Sequence, residues 1–400
     1  MPPLRILHVV PYFEHAWAYG GIPRVATTLT HGLARRGHDV TVCTTDACDA
    51  VSRVRVPHTP SEGPGRVDVR MFRNLSNSVA FRWQLFTPIG FVRALRAALP
   101  RIDIGHLHAC RNLPGAAAAR LLAAARIPYV VSPHGTAPLI ERRIAAKRIF
   151  DATAGRGYLE GAAQVVAVSD AELRQLVGLG VPGDRVTLLP NPIDEREFEP
   201  APDGRRFRAV HALGDAPVVL HLSKLTPRKG AGTLLQAVSA IDRAELRIII
   251  AGSDMDSGLD AAALGSDPRV LRLGTLTGRD RLDALAAASV VVYPSKDEVF
   301  GLVPLEALLA GTPVIVCSDS GAGEIVGTIG GGHIVPPGDH TSLAGAITSI
   351  LDTNGLWRQR ARIAGGRIRQ RFGSDAVCDR LDALYREVLG DGNARNRRTA

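Results

Sequence analysis

The run from Pro294 to Val316, PSKDEVFGLVPLEALLAGTPVIV, restricts the fold of this chain more than any other stretch. The valine-rich segment at 288–293 reads as a strand. The apolar segment at 303–310 reads as a helix, stopped by Gly311, and 313–316 reads as the next strand. Strand, loop, helix, glycine stop and strand make a parallel βαβ unit. Ligands of open α/β sheets sit at the carboxyl ends of strands, beside helix N-termini. Glu298 falls in that loop and Glu306 on the first turns of the helix, so both carboxylates can address one ligand. The backbone amides around Phe300, Gly301, Leu302 and Val303 are the free donors of the helix start, suited to hydroxyl or phosphate oxygens.

The same alternation runs through the rest of the chain. Strands are predicted over 4–10, 39–44, 67–72, 102–108, 128–132, 164–168 and 186–189. Helices fall between them over 22–36, 91–99 and 115–125, and Ser169 caps another. A second series of strands covers 217–222, 246–251, 270–273, 289–293, 313–316 and 333–335. Such alternation implies α/β architecture: two Rossmann-like, doubly wound parallel-sheet domains, with a cleft between them as the expected ligand site. A polar stretch at 194–215, punctuated by proline and glycine, is the boundary candidate. The expected division is an N-terminal domain over 1–195, a linker over 196–215 and a C-terminal domain over 216–374. A helix over 375–390 should pack back toward the N-terminal domain, ahead of a disordered tail at 391–400.

Hydrophobic residues at 46% and charged residues at 22% suit a globular protein. The five cysteines are scattered, with no metal-ligand spacing, and read as reduced thiols in a cytoplasmic chain. The apolar N-terminal run is too short for a signal peptide, and no run approaches a transmembrane helix. Contact with the inner face of the cell membrane would therefore be peripheral. The net charge of +9 is concentrated between Arg66 and Arg148, which hold 14 basic and 3 acidic residues. Without interleaved aromatics or zinc spacing this does not point to nucleic acid. It suits an anionic membrane surface or a pyrophosphate-linked lipid, or equally a solvated arginine-rich surface. Only four of the 48 basic residues are lysines, and three of them, Lys224, Lys229 and Lys296, lie in two loops.

Those loops carry the remaining candidate chemistry. Ser223-Lys-Leu-Thr-Pro-Arg-Lys-Gly230 follows a strand end and opens a helix, so Ser223, Lys224 and Lys229 border a phosphate-type site. Gly20 and Gly21 follow the first strand and allow close backbone approach to an anion, although G-x-G-x-x-G is absent. His134 follows another strand end and can hydrogen-bond a hydroxyl or move a proton. His106 and His108 share one strand face.

With these residues in place, a resemblance is apparent. The E-x7-E run from Glu298 to Glu306, with Phe300-Gly301 and Glu306-Ala307, resembles the motif of retaining glycosyltransferases of family 4, which have the GT-B fold. Ser223 to Gly230 is similar to that family's Gly-Arg-Leu…Lys-Gly stretch, with Lys224 where arginine is usual and Ser223 where glycine is usual. Gly20-Gly21, His134-Gly135 and the turn ending at Leu276 also match, as does Leu189 to Asp194, with Pro192 in place of glycine.

The resemblance implies hexosyl transfer from a nucleotide-diphosphate sugar, UDP- or GDP-linked, to a lipid-linked or polysaccharide acceptor in envelope or exopolysaccharide synthesis. Lys224 and Lys229 would hold the diphosphate, Glu306 the ribose, Glu298 and His134 the sugar, and the backbone at Leu276 the base. No Asp-x-Asp lies in a candidate donor loop, so the expected mechanism is metal-independent, with no cofactor beyond the sugar nucleotide. An epimerase or hydrolase on the same fold, or a non-catalytic sugar-nucleotide-binding module, are the alternatives.

Overall fold

The computed structural model describes residues 2–55, 58–60, 63–139, 144–253 and 267–398, with side chains to 390. It divides into two compact units, 1–192 with 374–400, and 193–373.

The first unit is a seven-stranded parallel sheet. Its strands are β1 (Arg5–Val9), β2 (Asp39–Thr45), β3 (Arg66–Phe72), β4 (Ile104–His108), β5 (Tyr129–Ser132), β6 (Gln164–Ala167) and β7 (Val186–Leu188). They lie in the order β3-β2-β1-β4-β5-β6-β7. Strand order reverses between β1 and β4, where Ile6 to Val9 stand in register with Ile104 to Leu107. Helices α1 (Gly21–Arg35), α2 (Asn77–Trp83), α3 (Phe91–Ala98), α4 (Leu113–Ala124), α5 (Ile144–Ala152) and α6 (Asp170–Gly178) connect the strands. Leu7, Val9, Leu107, Val131 and Val165, all fully buried, form the core with Leu95 and Leu122 from the helices. Ser169 caps α6 by accepting from the Glu172 amide at 3.2 Å.

The second unit holds α7 (Gly204–Val210), β8 (Val218–Leu222), α8 (Ala231–Ser239), β9 (Arg247–Ala251), β10 (Val270–Leu273), α9 (Gly278–Ala287) and β11 (Val290–Tyr293). It continues with α10 (Leu302–Leu309), β12 (Val314–Cys317), α11 (Gly321–Ile329), β13 (Gly332–Val335), α12 (His340–Asp352) and α13 (Asn354–Phe372). The sheet is parallel, in the order β10-β9-β8-β11-β12-β13, and reverses between β8 and β11. Every residue of β8, β11 and β12 is buried, as expected of central strands covered on both faces.

Two expectations need correction. The stretch 196–215 is not a linker but part of the second unit. Asp203 caps α7, the Asp203 amide donates to Asp283 at 2.7 Å, Arg206 pairs with Asp283 at 2.6 Å, and Arg208 donates to the Ala287 carbonyl. Its polar residues are spent on the neighbouring helix α9, so composition alone misleads. The closing helix, α14 (Ser374–Arg398), carries helical backbone well past 390, where a disordered tail was expected. It belongs to the first unit, through Arg36 to Asp379 at 2.7 Å and Tyr385 in the strand core. All five cysteines are free thiols. Among the described residues no helix is long and apolar enough to cross a membrane.

Candidate active site

Each switch point places loops at the carboxyl ends of neighbouring strands, where ligands of such sheets bind. In the second unit these loops are the ones after β8 and β11, and they carry the predicted lysine and glutamate residues. The loop after β8 forms a 3-10 turn, Pro227–Lys229, and Gly230 then opens α8 with φ +76°. A Cβ on Gly230 would lie 2.3 Å from the Pro294 carbonyl oxygen, so the close approach of the two loops requires glycine. That approach brings Lys229 to Glu298. The buried Lys229 ammonium donates to the Glu298 carboxylate and, at 3.0 Å, to the Tyr293 hydroxyl. Tyr293 and Ser295 also donate to Glu298, at 3.1 and 3.2 Å.

Burial pushes the Glu298 carboxyl up, but the Lys229 and Arg228 charges and these hydrogen bonds outweigh it and hold the carboxyl at about 2. Burial likewise lowers the Lys229 ammonium, and Glu298 more than restores it. Both groups are therefore ionised at neutral pH. Tyr293 and Ser295 were not among the sequence candidates; the signal available was Tyr293 ending a strand just before Pro294.

Gly301, at φ +82°, precedes α10, so the amides of Leu302 and Val303 are first-turn donors with half-exposed side chains. Phe300 is buried against Phe372. Glu306 lies on α10 but is 1% exposed and accepts from Arg281 of α9 at 2.5 Å. Arg281 also pairs with Glu197. The structure thus gives Glu298 and Glu306 separate cations. Arg281 escaped sequence reading because α9 itself was not recognised.

Ser223 is half-buried, its hydroxyl 2.9 Å from His221 Nε2 and 3.0 Å from the Lys224 carbonyl. Lys224 is half-exposed, and Leu276 lies half-exposed in the turn after β10.

In the first unit, Gly20 takes φ +96° and α1 starts at Gly21, as the two-glycine reading expects. His134 and Gly135 both take positive φ, 52° and 78°. Glu172 of α6, fully buried, holds this turn by accepting from the Gly135 amide at 2.5 Å and the Val168 amide at 2.9 Å. His106 and His108 share a face and are stacked at 4.3 Å, but they are fully buried among His8, His134 and Tyr385.

Among the described residues, two groups bring three metal-ligating side chains within 4.8 Å: His8, His106 and His108, and Glu14, His15 and His58. In the first, every ring nitrogen is engaged inside the protein. In the second, Glu14 accepts from the Thr59 amide at 3.0 Å and faces His58 Nδ1 at 3.4 Å.

Residues 19–197 match the model of Glycosyltransferase Family 4, and residues 203–367 match that of Glycosyl transferases group 1. A D-inositol 3-phosphate glycosyltransferase of Xylanimonas cellulosilytica is 30% identical over 92% of this chain and 92% of its own length. The chain belongs to glycosyltransferase family 4. The uncharacterized glycosyltransferase MJ1607 of Methanocaldococcus jannaschii is 28% identical over 94% of this chain and 98% of its own. Among solved structures, Anabaena Alr3699/HepE in complex with UDP and glucose has a TM-score of 0.72 at 20% identity, covering 95% of this chain and 99% of its own. Sucrose-phosphate synthase of Thermosynechococcus elongatus reaches 0.74 at 22% identity, covering 97% and 100%. The fold is GT-B, and the protein is a glycosyltransferase.

Proposed function

We propose that this family 4 glycosyltransferase is a retaining, metal-independent hexosyltransferase using a UDP- or GDP-sugar. The observation that carries this reading is the Lys229–Glu298 pair at the β8/β11 switch point, beside the amides that open α10. Departure of a nucleoside diphosphate leaves negative charge on oxygen, and preorganised cations and amides aimed at that charge lower the barrier most. Lys229, Lys224 and the amides of Leu302 and Val303 supply these donors. Glu298, held ionised, accepts from a sugar hydroxyl, and Glu306 accepts from the ribose alongside Arg281. His134 binds a sugar hydroxyl, Gly20 and Gly21 admit a phosphate to the backbone, and the backbone at Leu276 contacts the base.

For the acceptor, a lipid-linked or polysaccharide glycan at the cytoplasmic face of a membrane is favoured by one surface of the first unit. Leu75, Trp83 and Ile89 are 69%, 59% and 58% exposed, and Arg73, Arg82 and Arg93 of the same segment are exposed as well. Apolar side chains with basic neighbours suit an anionic bilayer surface. Arg142 and Arg143, counted in the same basic run, lie outside the described residues. A small phosphorylated polyol is the second reading, favoured by the several relatives named as D-inositol 3-phosphate glycosyltransferases.

The experiment is nucleoside-diphosphate release from UDP- and GDP-sugars, with a lipid-linked acceptor, inositol phosphate or no acceptor. Release that depends on an acceptor supports transfer, and the acceptor that raises it separates the two readings. Equal release without acceptor would identify a hydrolase. Trp83→Ser should lower retention on anionic vesicles and leave transfer to inositol phosphate unchanged.

A further inference from the structure

Four histidines of the first unit, His8, His106 and His108 buried and His134 half-buried, form one hydrogen-bonded chain. Ser132 Oγ lies 2.7 Å from His106 Nε2, and His106 Nδ1 lies 2.6 Å from the Tyr385 hydroxyl. That hydroxyl lies 3.3 Å from His8 Nε2. His8 Nδ1 lies 3.1 Å from His108 Nε2, and His108 Nδ1 lies 3.0 Å from His134 Nε2. The chain thus runs from Ser132 through β4, the closing helix α14 and β1, then returns through β4 to the His134 turn.

Burial removes the charged form at every ring. His8 is pushed down to about 3 and His134 to about 4, with Asn191 offsetting part of the latter shift. His106 and His108 fall well below the usual histidine range through burial, with their neighbours adding to it. A neutral imidazole has one N–H and one acceptor nitrogen, so each ring must donate on one side and accept on the other. The choice at one ring therefore fixes the choice at the next.

The Tyr385 oxygen could accept from both rings, but its buried O–H would then lack an acceptor. With that costly arrangement set aside, the hydroxyl donates to one ring and accepts from the other, which leaves two arrangements. In one, Ser132 donates to His106, His106 to Tyr385, Tyr385 to His8, His8 to His108 and His108 to His134. Every histidine then carries its proton on Nδ1. In the other, every donor becomes an acceptor, and all four carry the proton on Nε2. In both, the shared bond occupies His134 Nε2, so the arrangement decides whether His134 Nδ1 donates or accepts.

We propose that Tyr385 is a positioning residue that locks His8, His106, His108 and His134 into one common tautomer, and so sets whether His134 Nδ1 donates to or accepts from its ligand. Converting one arrangement into the other moves one proton along every shared bond, so Ser132 must take up a proton and His134 Nδ1 must release one, after which both hydroxyls are restored and the total charge is unchanged. The tautomer lock is independent of the proposed function. Its consequence for a sugar hydroxyl rests on the role given to His134.

The test is nitrogen-15 NMR of histidine-labelled full-length protein, which distinguishes the two neutral tautomers at each ring. The expected wild-type spectrum has these four histidines in the same tautomer. Different tautomers among the four overturn the proposal, without any variant being needed. Tyr385→Phe removes the hydroxyl that joins two segments and should split the set, letting His106 adopt a tautomer independent of His8, His108 and His134. If His106 stays matched to the others in this variant, Tyr385 does not link them. If the lock holds but a nucleotide sugar leaves all four nitrogen spectra unchanged, the lock stands and the role of His134 toward the sugar fails.

Discussion

Replacing Lys229 by methionine tests the centre of the site, because it removes the ammonium and keeps most of the side-chain volume. Lys229 and Glu298 side chains are 10% and 15% exposed, so the variant leaves a carboxylate largely cut off from water. In the wild type that carboxyl is held at about 2 against an ordinary 4.5. A shift of that size corresponds to about 3 kcal/mol, at about 1.4 kcal/mol per unit. Breaking a buried pair by removing one partner costs about 3–5 kcal/mol, which agrees.

The sign with pH follows. In the wild type the Glu298 carboxyl is depressed, so its stabilisation is fully present above 4.5 and is lost as pH falls toward 2. In Lys229→Met burial dominates and the carboxyl rises, so the variant should regain stability as pH falls from 7 to 5, where the wild type is flat for this group. Urea unfolding at pH 7 and pH 5 of the wild type, Lys229→Met, Glu298→Gln and the double variant measures both effects. The double variant should be about 2–3 kcal/mol more stable than the sum of the single losses implies. Single losses that add within about 0.5 kcal/mol, or a Lys229→Met deficit that does not shrink at pH 5, would refute the buried-pair argument.

Glu306→Gln should weaken nucleoside-diphosphate binding in calorimetry. It should also lower stability by about 1–3 kcal/mol, because Arg281 loses a charged partner in a buried setting. Gly230→Ala, at φ +76° and facing the Pro294 carbonyl, should cost about 1–3 kcal/mol by urea titration and reduce donor affinity, since the two loops must part. Lys224→Arg should keep more transfer activity than Lys229→Ala in the same release assay, since it retains the charge. Turnover should persist in a chelator, and activity abolished by chelation and restored by magnesium or manganese would place a metal at the diphosphate.

The fold was legible because burial on both faces leaves continuous apolar strands, and glycine or proline marks their ends. β10 appeared at its observed bounds, and α1 began one residue from the expected start. Helices α7, α9 and α11 were not legible for a common reason. Their apolar stripe is interrupted by residues such as Arg206, Asp283 and Glu324, and two of these make their partners in tertiary structure. The candidate loops were legible from glycine, lysine and glutamate at strand ends, residue types whose conformational freedom and charge carry meaning without knowledge of neighbours.

Partnership between side chains was not legible, and it changes the chemistry assigned to each. The spacing of Glu298 and Glu306 assigned two carboxylates to one ligand. The fold gives each its own cation, one from a loop 69 residues away and one from the preceding helix α9, 25 residues away. Lys229 read as a cation bordering a phosphate-type site, yet it is already paired, so in the proposed function a diphosphate would compete with Glu298 for it. That competition has a use. If the ammonium turns toward a diphosphate, the Glu298 carboxylate loses its strongest partner, and its affinity for a proton rises as it meets a sugar hydroxyl. In the proposed function, the donor's diphosphate would thus separate a neutral loop pair into a cation and a base, both supplied by the chain.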